Sequence, residues 1–599
     1  MVSVGCSDAP PLVLEFSTAA QSTEGCAPAP TRGLPPEVDR VVVQVRDVAG
    51  EWQSVGEVPR EGGSGAVVER IPVGQVDLRL VACEGPVGRF EARPALEEIP
   101  DSKKRTLVAH FRKNASLSCA GTGFGPTYDS FARLARPMAF GAAARLPGAE
   151  QVVVLGGAGQ VLEDRLQTRD DGQEWQLFDA REGLFWPGLD RAQPITRRTL
   201  DNGRAGLEVV PHTLGDVPGL LLAGGAPNLL LVPPPAQGTW LTGPVVPADD
   251  MVAATGLAFF NATNGAVAPI ALSDGGDTVP RILAGIARAA DGRILRAGGI
   301  EVTADGPRAS AAVEVIRGEQ ISRHTLPGAL LGPTVTPLGE DAFLVWGAEV
   351  PRCGQVPGYI VTLDPVFAAT PLQFSGTNPP ACDDGCRDWY ASAYHTASLL
   401  ADGPLGEKRV LVVGGLIVRD GDLIHNPDPG ADCPANAFVL EIDVPLATAS
   451  VAPVVVPEAA RNAVRRALHR AVSIKGQVMI TGGWGSFGIP TSFVAGDDVI
   501  FYDDATGALE VSAPMARRRF AHVAALLPED RVLLVGGLAP GQVAIDPGTG
   551  NATLVDPLVA NDVAEIYTPP LEADPCPQAA ADAGVESDAQ AAGDAGGEE

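Results

Sequence analysis

Val410-Leu411-Val412-Val413-Gly414-Gly415 is an apolar run stopped by two glycines. Four β-branched or long aliphatic residues in a row, without polar alternation, predict a short strand buried on both faces. The glycine stop fits a place where the backbone takes positive φ or another segment comes too close for a Cβ. The same pattern ends at Gly156-Gly157, Gly224-Gly225, Gly298-Gly299, Gly482-Gly483 and Gly536-Gly537. A fixed punctuation recurring at long intervals marks a repeat architecture. A degenerate copy, Ala342-Phe343-Leu344-Val345-Trp346-Gly347, lies between the third and fourth pairs, with Trp346 in place of the first glycine.

A second apolar element follows each pair, often with an acidic residue: Leu177-Phe178-Asp179, Val313-Glu314-Val315-Ile316, Phe438-Val439-Leu440-Glu441 and Ala564-Glu565-Ile566-Tyr567 are examples. It occurs seven times, which makes Trp346-Gly347 the seventh stop. Histidines His212, His395, His469 and His522 stand where the chain leads into a glycine pair, with arginines such as Arg517, Arg518 and Arg519 just upstream. From Phe178 to Ile566 the period is about 65 residues, longer than the roughly 40–50 of blade-type repeats, and the excess is expected in loops.

An arginine–histidine segment, a hydrophobic strand, Gly-Gly and a Tyr-Asp-like strand together resemble the kelch motif over residues 130–570. The resemblance implies an all-β fold, a seven-bladed kelch-like β-propeller with one four-stranded blade per unit. Six blades is the alternative if the Trp346 unit is an insertion. It also implies ring closure by strands from both termini. One enzyme family of this type, the galactose oxidases, holds copper with two tyrosines and two histidines, and Tyr394-His395 resembles its adjacent ligand pair. The rest of that ligand set has no counterpart here, so a copper-radical oxidase is kept as the runner-up. The repeated histidines are read as structural contacts between strands.

The chain has 599 residues, 70 glycines, 53 prolines and 5% aromatics, a composition suited to many short strands and turns. Its net charge of −29 excludes nucleic acid as a partner, because that role needs a basic footprint. Residues 572–599 carry eight acidic and no basic side chains in an Ala/Gly background, which predicts a disordered tail. Five lysines among 44 basic residues suggest GC-rich coding DNA and a bacterial source.

Val4-Gly5-Cys6-Ser7-Asp8 resembles the end of a bacterial lipoprotein signal and makes Cys6 a candidate for lipidation. Ser3 stands where leucine is usual, and the basic and long apolar regions are missing; a start assigned too far downstream would account for this. The other eight cysteines are an even set, read as disulfides of an exported protein: Cys26, Cys83, Cys119, Cys353, Cys382, Cys386, Cys433 and Cys576. Cys119 and Cys576 bracket the repeats and are the expected lock. The expected organisation is a signal-like segment and linker at 1–11, a β-sandwich at 12–119, the propeller at 120–571 and the tail at 572–599. Alternating strands such as Arg40-Val41-Val42-Val43-Gln44-Val45-Arg46 support the sandwich, which looks immunoglobulin-like or prealbumin-like and would act as a spacer.

No Gly-x-Ser-x-Gly elbow, phosphate loop, zinc spacing or EF-hand is present; Asp274-Gly275-Gly276-Asp277 and Asp497-Asp498 read as turns. No catalytic, metal or cofactor residues are assigned. The expected function is a binding or scaffold module for protein or glycan at the bacterial cell envelope, presented on the loop face. The expected state is a monomer, with membrane contact only through a lipid anchor. A purely structural envelope component is a further alternative.

Overall fold

The computed structural model describes residues 12–571, Pro575 and Cys576, apart from 22–25, 27–30, 47–49, 61–65, 69–76, 95–104, 123–136, 168–174, 187–199, 232–238, 241–244, 248–255, 271–278, 350–357, 375–391, 425–435, 487–491, 546–551, 572–574 and a few shorter breaks. Among the described residues the fold is all-β, with only short 3-10 turns beside the strands. The chain divides into two compact units: one built from residues 1–18, 30–114 and 570–599, the other from 19–29 and 115–569.

The smaller unit is an eight-stranded half-barrel sheet rather than an antiparallel sandwich. Its strand Leu12–Thr18 runs parallel to Arg105–Lys113, while the other pairs are antiparallel. Alternation in the sequence marks one apolar face, and that face is a single core containing Leu14, Val43, Leu80, Phe90 and Phe111. What periodicity does not encode is whether such a face meets a second sheet or the inside of its own curl.

The larger unit contains antiparallel groups of four strands, two of which gain a fifth, parallel strand: Gly121–Thr122 beside Leu184–Trp186 and Gln373–Phe374 beside Thr448–Pro453. Six follow the order of the chain, and their first two strands are Ala139–Arg145 with Gln151–Ala158, Ala205–Leu214 with Val217–Ala226, Gly285–Arg288 with Ile294–Ala297, Thr396–Leu399 with Lys408–Val413, Arg470–Ile474 with Gln477–Thr481, and Val523–Leu526 with Val532–Val535. The remaining group falls third to fourth in sequence. It shares the long strand Gln320–Pro337 with its predecessor and continues through Ala342–Glu349, Gly358–Thr362 and Ala368–Pro371. Trp346 therefore lies in the second strand of this group. We number the groups one to seven.

The unbroken apolar runs have a direct cause. In group one, Val152 and Val154 enter a cluster with Val523, Leu533 and Ile566 of group seven, whereas Val153 and Leu155 enter one with Leu207 and Leu222 of group two. Successive side chains of a strand point to opposite faces, so a strand sandwiched between two neighbouring sheets must be apolar at every position. Equivalent clusters join each remaining consecutive pair of groups.

Group seven takes its fourth strand from far upstream. Ser116–Cys119 pairs antiparallel with Ala564–Thr568. Cys26 bonds to Cys119, so the segment containing Gln21 lies along this strand. In the smaller unit Cys83 bonds to Cys576. The Cys119–Cys576 lock expected from sequence is thus replaced by two other pairings. The upstream segment that accompanies Cys119 puts Cys26, not Cys576, beside it. Cys6, Cys353, Cys382, Cys386 and Cys433 lie outside the described residues, as does the tail beyond Cys576.

Candidate functional site

The repeats converge on one position. At the entry to each group's first strand, or inside that strand in groups one, two and four, sits a residue with left-handed backbone: Phe140, Gly206, Leu283, Gly332, Tyr394, Leu468 and Ala521, with φ from 45° to 72°. The amide of Leu283 donates to Gly206 O, Tyr394 to Gly332 O, Leu468 to Tyr394 O, Ala521 to Leu468 O and Phe140 to Ala521 O, at 2.9–3.1 Å. Five of the seven are not glycine, so the surroundings impose a conformation that these side chains disfavour. Their neighbours Ala139, Ala205, Ile282, Leu331, Ala393, Ala467 and Phe520 meet the residues that follow the glycine stops in one apolar cluster.

Two residues before this position stands an arginine in four groups: Arg204, Arg281, Arg466 and Arg519, all essentially buried. Each donates to the carbonyl of the first glycine of its own group: Arg204 to Gly224 O at 2.8 Å, Arg281 to Gly298 O at 3.3 Å, Arg466 to Gly482 O at 3.1 Å and Arg519 to Gly536 O at 3.3 Å. The acidic residue of the following element completes the site. Arg281 pairs with Glu314 at 2.9 Å, Arg519 with Glu565 and Arg466 with Asp498. Arg296 adds a second guanidinium on Glu314 at 3.1 Å, and the two arginines hold that carboxyl below its ordinary range against the opposing effect of burial.

The glycine pairs answer to the same position in the next group. Both glycines have positive φ in all six intact pairs. The second glycine of groups one, five, six and seven donates its amide to Arg204 O, Arg466 O, Arg519 O and Met138 O. A Cβ on Gly414 would stand 2.2 Å from Arg466 O and 2.8 Å from the ring of His469. In group four neither Trp346 nor Gly347 has positive φ. The strand stays extended there, and the indole packs near Phe374 and Phe438, with Gly358 leaving it room.

His395, His469 and His522 occupy equivalent places, three residues after Ser392, Arg466 and Arg519. Their Nε2 atoms bond the hydroxyls of Thr334 (2.9 Å), Thr396 (2.8 Å) and Thr481 (2.9 Å). His395 Nδ1 faces Ser392 O at 2.8 Å, so it carries the proton and Nε2 accepts from Thr334. Burial pushes His395 down to about 4 and His469 to about 3, and His522 well below its ordinary value. His212 does not share this place. It lies eight residues after Arg204, bonded to Gly318 O at 3.1 Å and edge-on to Phe259. The Tyr394-His395 pair that resembled copper ligands is thus a left-handed repeat position followed by a histidine with both nitrogens engaged. Among the described residues no three His, Cys, Asp or Glu side chains converge as a metal site. Asp274, Gly275, Gly276 and Asp277 lie outside the described residues, and Asp497 and Asp498 face Arg518 and Arg466.

Two charged residues that sequence reasoning passed over sit four places after Arg204 and Arg466. Glu208 Oε2 is out of contact with solvent and has no hydrogen-bond partner. Burial raises its carboxyl to about 8, against the pull of Arg296, Arg281 and Arg470. Arg470 donates to His522 O at 2.7 Å, and its guanidinium is held below its ordinary value by burial, with Glu208 opposing. Neither residue follows a repeating pattern, which is why no sequence signal marked them.

Beyond several glycine stops the chain builds short strands that pair across groups. Arg165–Gln167 pairs with Asn228–Leu231, Thr239–Trp240 with Asp422–Ile424, and Ser492–Ala495 with Val543–Ile545. No protein-family model matches the chain, and no curated protein sequence is significantly similar to it.

Proposed function

We propose that the larger unit is a seven-bladed kelch-type β-propeller serving as a binding or scaffold module for protein or glycan at a bacterial cell envelope. Seven four-stranded groups, an apolar cluster between each consecutive pair and between group seven and group one, and the upstream fourth strand of group seven support the architecture. The observation that carries the binding role is the placement of the insertions. Groups one, two, five, six and seven carry long connections after the glycine stop, and three pairs of their short strands bond across groups. A rigid frame that presents long connections at one end is the usual design of a recognition surface, here argued from architecture alone.

Two disulfides fit a non-reducing, extracytoplasmic compartment. Among the described residues no helix is long and apolar enough to cross a membrane. Lipidation at Cys6 is the proposed attachment. The test is a glycan array together with cross-linking capture from envelope fractions, using native protein and a variant with the hairpin between Trp484–Ser486 and Ser492–Ala495 replaced by a two-residue turn. Retention of a glycan or a defined protein by the native chain, weakened in the variant, is expected. Equal retention by both, or none beyond a heat-unfolded control, would sink the proposal.

A further inference from the structure

The first strands of the seven groups stand edge to edge, each touching the next, and Val523–Leu526 of group seven touches Ala139–Arg145 of group one. Counted along each strand from its left-handed residue, exposure follows one pattern. The residue one place on is buried in every group, His395, His469 and His522 among them. The residue three places on is half-buried in every group and always apolar: Ala143, Val209, Ile286, Val335, Ala397, Ala471 and Ala524. Five places on, Arg145, Arg288, Leu399, Ser473 and Leu526 are exposed. At the opposite end one apolar cluster gathers Phe140, Tyr394 and Phe520 with members of every group. In the propeller proposed above, these strands enclose an axial pocket, floored by that cluster and open at the end away from the glycine stops.

Two charged side chains stand in the layer just above the floor, two places on from the left-handed residue. They are Glu208 of group two and Arg470 of group six, both half-buried. Thr334 and Thr396 hold the same place in groups four and five, and both are spent on a histidine of the following group. Glu208 and Arg470 are spent only in part. The Ala284 amide bonds the Glu208 carboxyl, whose Oε2 has no hydrogen-bond partner. Arg470 Nε donates to His522 O at 2.7 Å, and its two terminal nitrogens make no hydrogen bond or ion pair among the described residues. Groups two and six are not neighbours in the chain, yet each of these residues acts on the other's charge. The other charges facing Glu208 are Arg281 and Arg296, and both are committed to Glu314.

We infer that this axial pocket binds a short aliphatic carboxylate, its head group held between Arg470 and Glu208 and its chain lying along the apolar ring. The inference rests on the propeller reading, and is independent of the recognition role of the long connections, which leave from the opposite end. The free edge of the Arg470 guanidinium matches a carboxylate with two parallel hydrogen bonds. Burial raises the Glu208 carboxyl to about 8, so at neutral pH it is protonated and donates to the same head group. The terminal torsion of a glutamate is soft, so a small rotation presents the shielded Oε2. The histidines of the layer below stay neutral, since burial holds His395 at about 4, His469 at about 3 and His522 well below its ordinary value. From Arg470 to the end of its strand at Ile474 is about 13 Å at ~3.3 Å per residue, room for a chain of about four carbons.

The test is titration calorimetry of the full chain with sodium pentanoate. Saturable binding at pH 6.5 is expected, weakened about tenfold at pH 9, where Glu208 is ionised and repels the head group. Pentanamide, a control independent of any variant's folding, does not bind. Arg470→Gln lowers the affinity tenfold or more. Glu208→Gln keeps a donor, so it binds at pH 6.5 and loses the weakening at pH 9. Photolabelling with 4,4-azipentanoate, mapped by mass spectrometry, marks both the strand holding Val209 and the strand holding Ala471, and pentanoate suppresses it. Absence of saturable binding, equal binding of the amide, or indifference to Arg470→Gln would overturn the inference and leave the ring standing. An unchanged pH dependence in Glu208→Gln would do the same. Arg470-dependent binding with label on the Ala471 strand alone would overturn the ring, and the inference with it.

Discussion

At the scale of single residues, the buried ion pairs dominate. Arg519 and Glu565 are both fully shielded from solvent. Removing one partner strands the other charge, so Glu565→Gln should cost about 3–5 kcal/mol, whereas Arg519→Met with Glu565→Leu should cost far less. Urea unfolding of the three proteins decides this, and a double variant no better than the single one would count against it. The histidines set the acid limit. Their ordinary value is 6.5, and His395 and His469 are depressed to about 4 and 3. Below pH 6.5 the unfolded chain takes up protons that the folded chain refuses. Stability therefore falls as pH drops from 6.5 toward 4, by up to about 1.4 kcal/mol per pH unit per histidine. Glu208 acts in the opposite direction, because its folded value of about 8 exceeds the ordinary 4.5. Its contribution is present below pH 4.5 and is lost as pH rises to 8. Glu208→Gln should remove the decline that Glu208 imposes between pH 4.5 and 8, and so steepen the histidine-driven rise from pH 4.5 to 6.5; parallel urea-midpoint profiles for variant and parent would refute this. The histidines were legible as a repeated position, although His212 was grouped with them wrongly, since adjacency to a strand start does not fix register. Glu208 was not legible, because its burial depends on the neighbouring group rather than on its own strand.

At the scale of elements, strands were the best-read feature, since a strand buried on both faces leaves an unbroken apolar run. The glycine pairs take positive φ in all six copies, whereas at Trp346, read from sequence as a degenerate stop, the strand runs on through Gly347 to Glu349. What sequence did not convey is that the tryptophan changes the backbone rather than straining it. Restoring the motif should therefore harm the protein. Trp346→Gly removes a fully buried indole and should cost about 3–5 kcal/mol, seen as a lower unfolding midpoint. An unchanged or higher midpoint would mean that the tryptophan replaces the glycine at no energetic gain. Disulfide partners were not legible, because pairing depends on which segments lie together in space. The bridge from Gln21 to Ser118 that brings Cys26 to Cys119 is a tertiary contact without a local signature.

At the scale of the whole molecule, two kinds of information separate. Repetition in the sequence revealed the frame of the larger unit, and the irregular insertions after each glycine stop remained unreadable because no two share a pattern. The fourth strand of group seven was likewise assigned to the N-terminal module, since Ser116–Cys119 carries no repeat mark. Its removal should have a collective effect. A chain beginning at Gly121 leaves the strand Ala564–Thr568 without its outer partner, and open strand edges recruit other chains. Concentration-dependent self-association by light scattering is the expected result, and a stable monomer would argue against this role for the strand.

That strand also imposes a timetable. Ser118 and Ile566 meet across 448 positions of sequence. At roughly 5–20 residues per second, synthesis takes about 20–90 s to deliver the partner of a strand that has already left the ribosome. Group seven is therefore assembled after the rest of the larger unit has been made. During that interval its earliest strand is an unsatisfied edge that the cell must shield, and a chain moved across a membrane before folding would meet its own last strands only on the far side.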